Sequence, residues 1–224
     1  MSPFSARKKR GFTLIELAIV LGVVASILGA LWALVGIARE KARLATAIDA
    51  VTSTADNVQA LYGSAPAIAG GYTDLNGSLT SMSGLVHAGV FPEALVQKTM
   101  TTCSFGGGAE NYVASPWTAY SPCGAIHVCA WNYVGTTVCP ATSAAREPYF
   151  AVEVTQLDYD ACTALASSFA PNGGTTPVDI YINGSGVVAA GGALPVSAAI
   201  ATGKCSSTMA NTVDFVYRLR PQGY

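Results

Sequence analysis

Few side chains in this sequence are placed to do chemistry. Thr13-Leu14-Ile15-Glu16 puts a lone acid at the head of an apolar run. That spacing fits an S/T-x-x-E capping box, in which hydroxyl and carboxylate satisfy the free N–H groups of a helix start. Six cysteines, Cys103, Cys123, Cys129, Cys139, Cys162 and Cys205, all lie beyond that run. An even count there suits disulfides in an exported compartment. No C-x-x-C pair occurs, and His87 and His127 lack metal-ligand spacing, so the reading favours disulfides over zinc, with no metal and no cofactor. A catalytic cysteine needs a nearby base. His127 lies close to Cys123 and Cys129, but on a strand-like run whose alternation is expected to turn the side chains apart. Asp158 and Asp160 are thin as a calcium set. Gly106-Gly107-Gly108 lacks the Lys-Ser/Thr of a phosphate loop and reads as a flexible loop. Nothing here assembles an acid/base cluster, and no enzyme is expected.

The elements that position these residues begin with a helix. Hydrophobic types make up 51% of the 224 residues and charged types only 11%, against about 25% charged in ordinary globular chains. Leu17 to Ala38 carries no formal charge over 22 positions. As a helix that run is about 33 Å long, enough to cross a bilayer core. Past Ala38 the pattern becomes periodic: Leu44, Ala47, Ile48, Val51, Ala55, Val58, Leu61 and Tyr62 form one stripe, with Asp49, Thr52, Asp56 and Gln59 elsewhere. No proline falls between Pro3 and Pro66. The spacing predicts a single helix from about Phe12 to Leu61, stopped at Gly63 with Pro66 beyond. Gly22, Gly29 and Gly36 recur at heptad spacing on roughly one side, where small residues let another helix approach.

Charge gives the orientation. Arg7, Lys8, Lys9 and Arg10 precede the apolar run and favour a cytoplasmic N-terminus. Arg39, Lys41 and Arg43 blunt that bias, and Glu40 partly offsets them. Without the leader, eight basic residues face thirteen acidic ones, a formal charge of −5. The soluble part therefore shows no basic face for a nucleic-acid backbone, and nucleic acid is not expected as a primary partner.

After the helix, a Gly/Ser-rich connector holds a possible short helix at Ser83–Phe91. Strand-like groups follow at Ile126–Tyr133, Tyr149–Val154, Val178–Ile182 and Val213–Leu219, separated by turns such as Pro171-Asn172-Gly173-Gly174 and Asn183-Gly184. Within Val213–Leu219 the alternation suits a half-buried strand. Trp117, Tyr120, Trp131 and Tyr133 fit core packing better than an adhesive patch. The expected fold class is α+β: a long N-terminal helix packed on a mostly antiparallel sheet.

An ordinary secretory signal has a shorter apolar core and a small-x-small cleavage site, and a plain membrane anchor does not explain Gly11-Phe12-Thr13-Leu14-Ile15-Glu16. Lys9 to Leu17 resembles the leader junction of type IV prepilins and type II secretion pseudopilins. The resemblance implies cleavage between Gly11 and Phe12 by a prepilin peptidase and N-methylation of Phe12. Asn57–Gly63, Tyr72-Thr73-Asp74-Leu75 and Gly89-Val90-Phe91-Pro92 resemble type IVb pilins, especially thin-pilus pilins of conjugative plasmids. Tyr159-Asp160-Ala161-Cys162 and Lys204-Cys205-Ser206 look like the disulfide framing the C-terminal part of such heads. That implies a Cys162–Cys205 pair and leaves Cys103, Cys123, Cys129 and Cys139 with three possible pairings. Two features depart from the IVb pattern: the leader is short, and its first mature residue is Phe. Ala33 stands where many type IVa pilins carry a kinking proline.

The implied organisation is a leader at 1–11, a transmembrane and filament-core helix at 12–38, its amphipathic half at 39–62, and an exported head at 63–224. The resemblance implies a structural subunit held in the inner membrane with its head periplasmic, then built into a homo-oligomeric helical filament at the cell surface for adhesion, conjugation or motility. The implied partners are prepilin peptidase, an assembly platform, an ATPase and an outer-membrane secretin. Glu16, with Thr13 and Phe12, is the expected assembly site: its acid pairs with the Phe12 ammonium of a neighbouring subunit. The alternatives are a minor pilin or type II secretion pseudopilin, and a membrane-anchored periplasmic enzyme.

Overall fold

The computed structural model describes residues 13–62, 85, 88–97, 112–117, 126–131, 149–169, 176–187, 194–207 and 210–219. The leader, Gly11, Phe12, the expected stop at Gly63, the triple glycine, Cys103, Cys123, Cys139, Tyr120 and Tyr133 lie outside the described residues.

Helix α1, Leu14–Tyr62, is 49 residues long, matching the unbroken, proline-free pattern of the sequence. The chain divides into two compact units, Met1–Ala42 and Arg43–Tyr224. In the first, every described residue is exposed, including Leu14, Ile19, Leu28 and Trp32. This stretch is long and apolar enough to cross a membrane.

The second unit is built on a five-stranded antiparallel sheet in the order β3-β4-β7-β5-β6. Its strands are β3 (Ile126–Trp131), β4 (Tyr149–Leu157), β5 (Asp179–Ile182), β6 (Ser185–Gly186) and β7 (Asn211–Arg218). A separate ribbon pairs β1 (Val96–Gln97) with β2 (Tyr112–Val113). One face of the larger sheet presents Ile126, Val128, Phe150, Val152, Ile180, Ile182, Val213 and Phe215 to a single core with Ala47, Ala50, Val51, Ala55 and Val58 of α1. Alanines at the helix contact let its backbone lie close to the large strand side chains. Burying Phe150 and Phe215 contributes about 1.5–3 kcal/mol each; Phe150 stacks on Tyr217 at 5.3 Å between ring centres, and Phe215 meets Phe169 at a tilt at 4.5 Å. Side chains of α1 also reach the head backbone: Asn57 Nδ2 donates to Val90 O at 3.0 Å and Gln59 Nε2 to Arg218 O at 2.7 Å.

Local geometry follows from particular residues. Asn183 and Gly184 take φ of 52° and 75°, the left-handed pair that closes a two-residue hairpin between β5 and β6. Between Val154 and Leu157 the β4–β7 register slips by one residue. Gln156, at φ 59°, belongs to this bulge. Val90 N–H donates to Leu85 O across Gly89, at 3.1 Å and φ 71°. This is a glycine helix stop, so the short helix expected at Ser83–Phe91 ends before Gly89.

Three expectations need correction. Two helices were not foreseen: α2, Tyr159–Ser168, and α3, Ala198–Lys204. Each has a polar N-cap: Asp158 accepts from Ala161 N at 2.7 Å and Ser197 from Ile200 N at 3.4 Å. The strand at Val213–Leu219 was expected to be half-buried, yet Asp214 and Val216 are 0% exposed. Its second face is covered too. Strand limits also shift, β4 running on to Leu157, while Asn132 and Tyr133 of the expected strand at Ile126–Tyr133 lie outside the described residues.

Candidate assembly site

The start of α1 is a closed capping box. Thr13 N–H and Thr13 Oγ1 both donate to Glu16 Oε2, at 3.0 and 2.9 Å, and Glu16 N–H donates back to Thr13 Oγ1 at 3.3 Å. Two orphan donors of the first turn are thereby satisfied by side chains of the same turn. Among the described residues Glu16 Oε1 makes no hydrogen bond. The capping role therefore occupies one carboxylate oxygen and leaves the other open. Cleavage between Gly11 and Phe12 would leave Thr13 and this box intact.

Gly22, Gly29 and Gly36 lie on the exposed part of α1, and a Cβ added at any of them meets nothing within 4 Å. Among the described residues no contact requires a glycine there. These positions are open lanes along a bare apolar helix.

The second unit carries a clamp of its own. Cys162 of α2 and Cys205, which caps α3, are joined by a disulfide with Cα atoms 6.0 Å apart. Beside it, buried Asn211 ties four segments together. Its Nδ2 donates to Leu157 O at 3.2 Å and Ser206 O at 3.0 Å. Its Oδ1 accepts from Asn183 Nδ2 at 2.8 Å and from Ser206 N–H.

His127 and Cys129 stand two residues apart on β3, so strand alternation places them on the same face, against the expectation that it would separate them. Cys129 is disulfide-bonded, to a cysteine outside the described residues, and has no thiol to activate. Asp158 is occupied in capping α2. No group of three His, Cys, Asp or Glu side chains among the described residues could hold a metal ion. Trp117 is buried in the core.

The sequence reading missed the buried acid Asp214 of β7 and the half-buried Glu153 opposite it on β4. A signal existed: Ala151, Val216 and Cys129 share their face, and apolar residues two places away from an acid mark a covered face.

Residues 6–32 match the family model for the prokaryotic N-terminal methylation motif. The match spans the basic leader, Gly11-Phe12, the capping box, Gly22 and Gly29. It supports a type IV pilin-like or pseudopilin-like precursor, cut by a prepilin peptidase and assembled with type IV machinery. It points to a structural subunit rather than an enzyme. No curated protein matches the chain.

Proposed function

We propose that this chain is a filament subunit of type IVb character, cut between Gly11 and Phe12, methylated at Phe12, and assembled through α1. Before assembly the apolar half of α1 spans the inner membrane, with the leader cytoplasmic and the head periplasmic. Assembly moves that half from lipid into a bundle of identical helices, and the disulfide-clamped heads form the outer surface. Glu16 Oε1 takes the Phe12 ammonium of a neighbouring copy, which holds only in one axial register. The platform, ATPase and secretin of the type IV machinery supply the work and the exit.

The observation that carries this reading is the methylation motif set directly on a helix whose described residues up to Ala42 are all exposed and whose uncharged Leu17–Ala38 stretch is apolar enough to cross a membrane. Mass spectrometry of sheared surface filaments tests it. The expected main band is this chain, beginning at methylated Phe12. An uncut Met1 terminus, or filaments without this chain, overturns the proposal, and a trace amount assigns it to a minor subunit.

A further inference from the structure

Hydrogen bonds at both ends fix the side-chain amide of Asn183 at the tip of the β5–β6 hairpin. Its Oδ1 accepts from Thr212 N–H at 3.0 Å, and its Nδ2 donates to Lys204 O at 3.1 Å and Asn211 Oδ1 at 2.8 Å. A backbone N–H on one side and a backbone carbonyl on the other settle which end of the amide is oxygen. Asn183 N–H also donates to Thr212 O at 3.0 Å. The clasp joins the hairpin to the start of β7 and to the end of α3 beside Cys205. Asn183 is nevertheless exposed, and Gly184 follows it.

We infer that Asn183-Gly184 is a self-modification site that the folded head holds off, and that opening of the clasp sets it going. An asparagine followed by glycine is poised to cyclise, because no Cβ shields the glycine nitrogen. The Gly184 nitrogen attacks Asn183 Cγ and forms a C–N bond. The amide nitrogen leaves as ammonia, carrying away the Gly184 proton. Water then opens the cyclic imide at either carbonyl, giving aspartate or its isomer with the backbone routed through the side chain. Water is the only co-reactant, and it reaches an exposed residue. Ring closure requires the amide to swing onto Gly184 N, and the clasp anchors both of its ends elsewhere. Three side-chain hydrogen bonds of ordinary net strength favour the closed clasp about 100-fold over the open one.

The product does not remake the clasp. A carboxylate has no N–H, so Lys204 O and Asn211 Oδ1 lose their donor and face a negative oxygen instead. Asn211 is buried, and its own Nδ2 is already given to Leu157 O and Ser206 O. It has no further N–H to turn toward the new acid. An opening of this corner is thereby recorded as a permanent negative charge.

Peptide mapping by mass spectrometry tests this on the full chain in detergent, held at mildly alkaline pH and read by the mass gain of amide-to-acid conversion. Asn76 and Asn172 are also followed by glycine and give the unrestrained rate in the denatured chain. Asn183 is expected to match them there and to convert about 100-fold more slowly in the folded chain. Folded N211A, which lacks one anchor, should convert at least about fivefold faster than folded wild type. A folded wild-type rate within about threefold of the denatured rate, or a folded N211A as slow as wild type, overturns the proposal. Should N211A fail to fold, a urea series on wild type below its unfolding transition decides. Conversion at Asn183 must then rise together with hydrogen exchange at Thr212 N–H, and conversion that stays flat while that exchange rises overturns the proposal too. For the product, the expected order of Tm is wild type, then N183G, then N183D, since glycine takes the φ of 52° without strain. N183D at or above N183G overturns the barred reclosure.

Discussion

Replacing Glu16 by glutamine separates the two tasks the structure gives this side chain. The capping box accepts Gln as readily as Glu, so the amide oxygen can still take the Thr13 N–H and Oγ1 donors now held at 3.0 and 2.9 Å. Only the charge is lost. If Glu16 served its own helix alone, E16Q would change filament yield by less than about twofold. If Oε1 holds a neighbour's ammonium, that attraction is lost. An acid buried in lipid without a partner costs about 2.5–3.5 kcal/mol, and pairing must recover a comparable amount. That corresponds to about 60- to 300-fold in the equilibrium for adding a subunit. T13V is the converse. It deletes Oγ1 and its bonds to Glu16 but keeps the charge and the backbone donor, so losing the cap costs about 1 kcal/mol, roughly fivefold. The assay is filament yield after shearing, by immunoblot against cell-associated chain, with cleavage at Gly11/Phe12 checked by mass spectrometry. The expected order is wild type above T13V, far above E16Q. Normal filaments from E16Q beside a collapse of T13V would refute the reasoning and leave Glu16 a capping residue only.

Three further outcomes follow from the same geometry. The double variant C162A/C205A frees a loop of sequence separation 43, worth about 4 kcal/mol in the chain-entropy model, and should lower the denaturant midpoint of the head. N211A removes a buried side chain that joins Leu157, Asn183 and Ser206; with buried partners left unpaired, a loss of about 3 kcal/mol is expected, read as a lower Tm. A Cβ added at Gly29 meets nothing within 4 Å and leucine improves helix propensity, so G29L should leave the Tm of the isolated chain unchanged while cutting filament yield at least tenfold; equal yield would mean the glycine lane is not a packing surface.

The long helix was legible because one cause acts at every position: absence of charge from Leu17 to Ala38, then a stripe of period 3.6, with no proline to end it. The sheet was legible for a similar reason, since runs such as Tyr149–Val154 have few alternatives. What escaped depends on tertiary cover. Tyr159–Ser168 is short, and its stripe of Ala161, Cys162, Leu165 and Ala166 is too weakly apolar to announce a helix; Asp158 as cap was the clue. Asp214 looks like an outward-facing polar residue until its apolar neighbours Ala151 and Val216 are placed beside it by the register. At the assembly site, the capping box was legible from four residues. Its open oxygen was not, because spacing does not say which oxygen the cap uses.

The chain places acids in two apolar settings, and their accessibility decides what neutralises each. Asp214 is sealed, with no exposed surface and no donor on either oxygen. Burial, and then the charge of Glu153, hold its carboxyl well above the usual carboxylate range, so a proton neutralises it in place. Glu16 lies on an exposed helix, caps its own first turn with Oε2 and keeps Oε1 open. A proton would neutralise it too, but would specify no register. An ammonium fixed to the end of another helix neutralises it at one height only. The half-used carboxylate thus explains why the acid stands at a capping position: Thr13 holds one oxygen and so aims the other, and the rotamer a neighbour needs is set before that neighbour arrives.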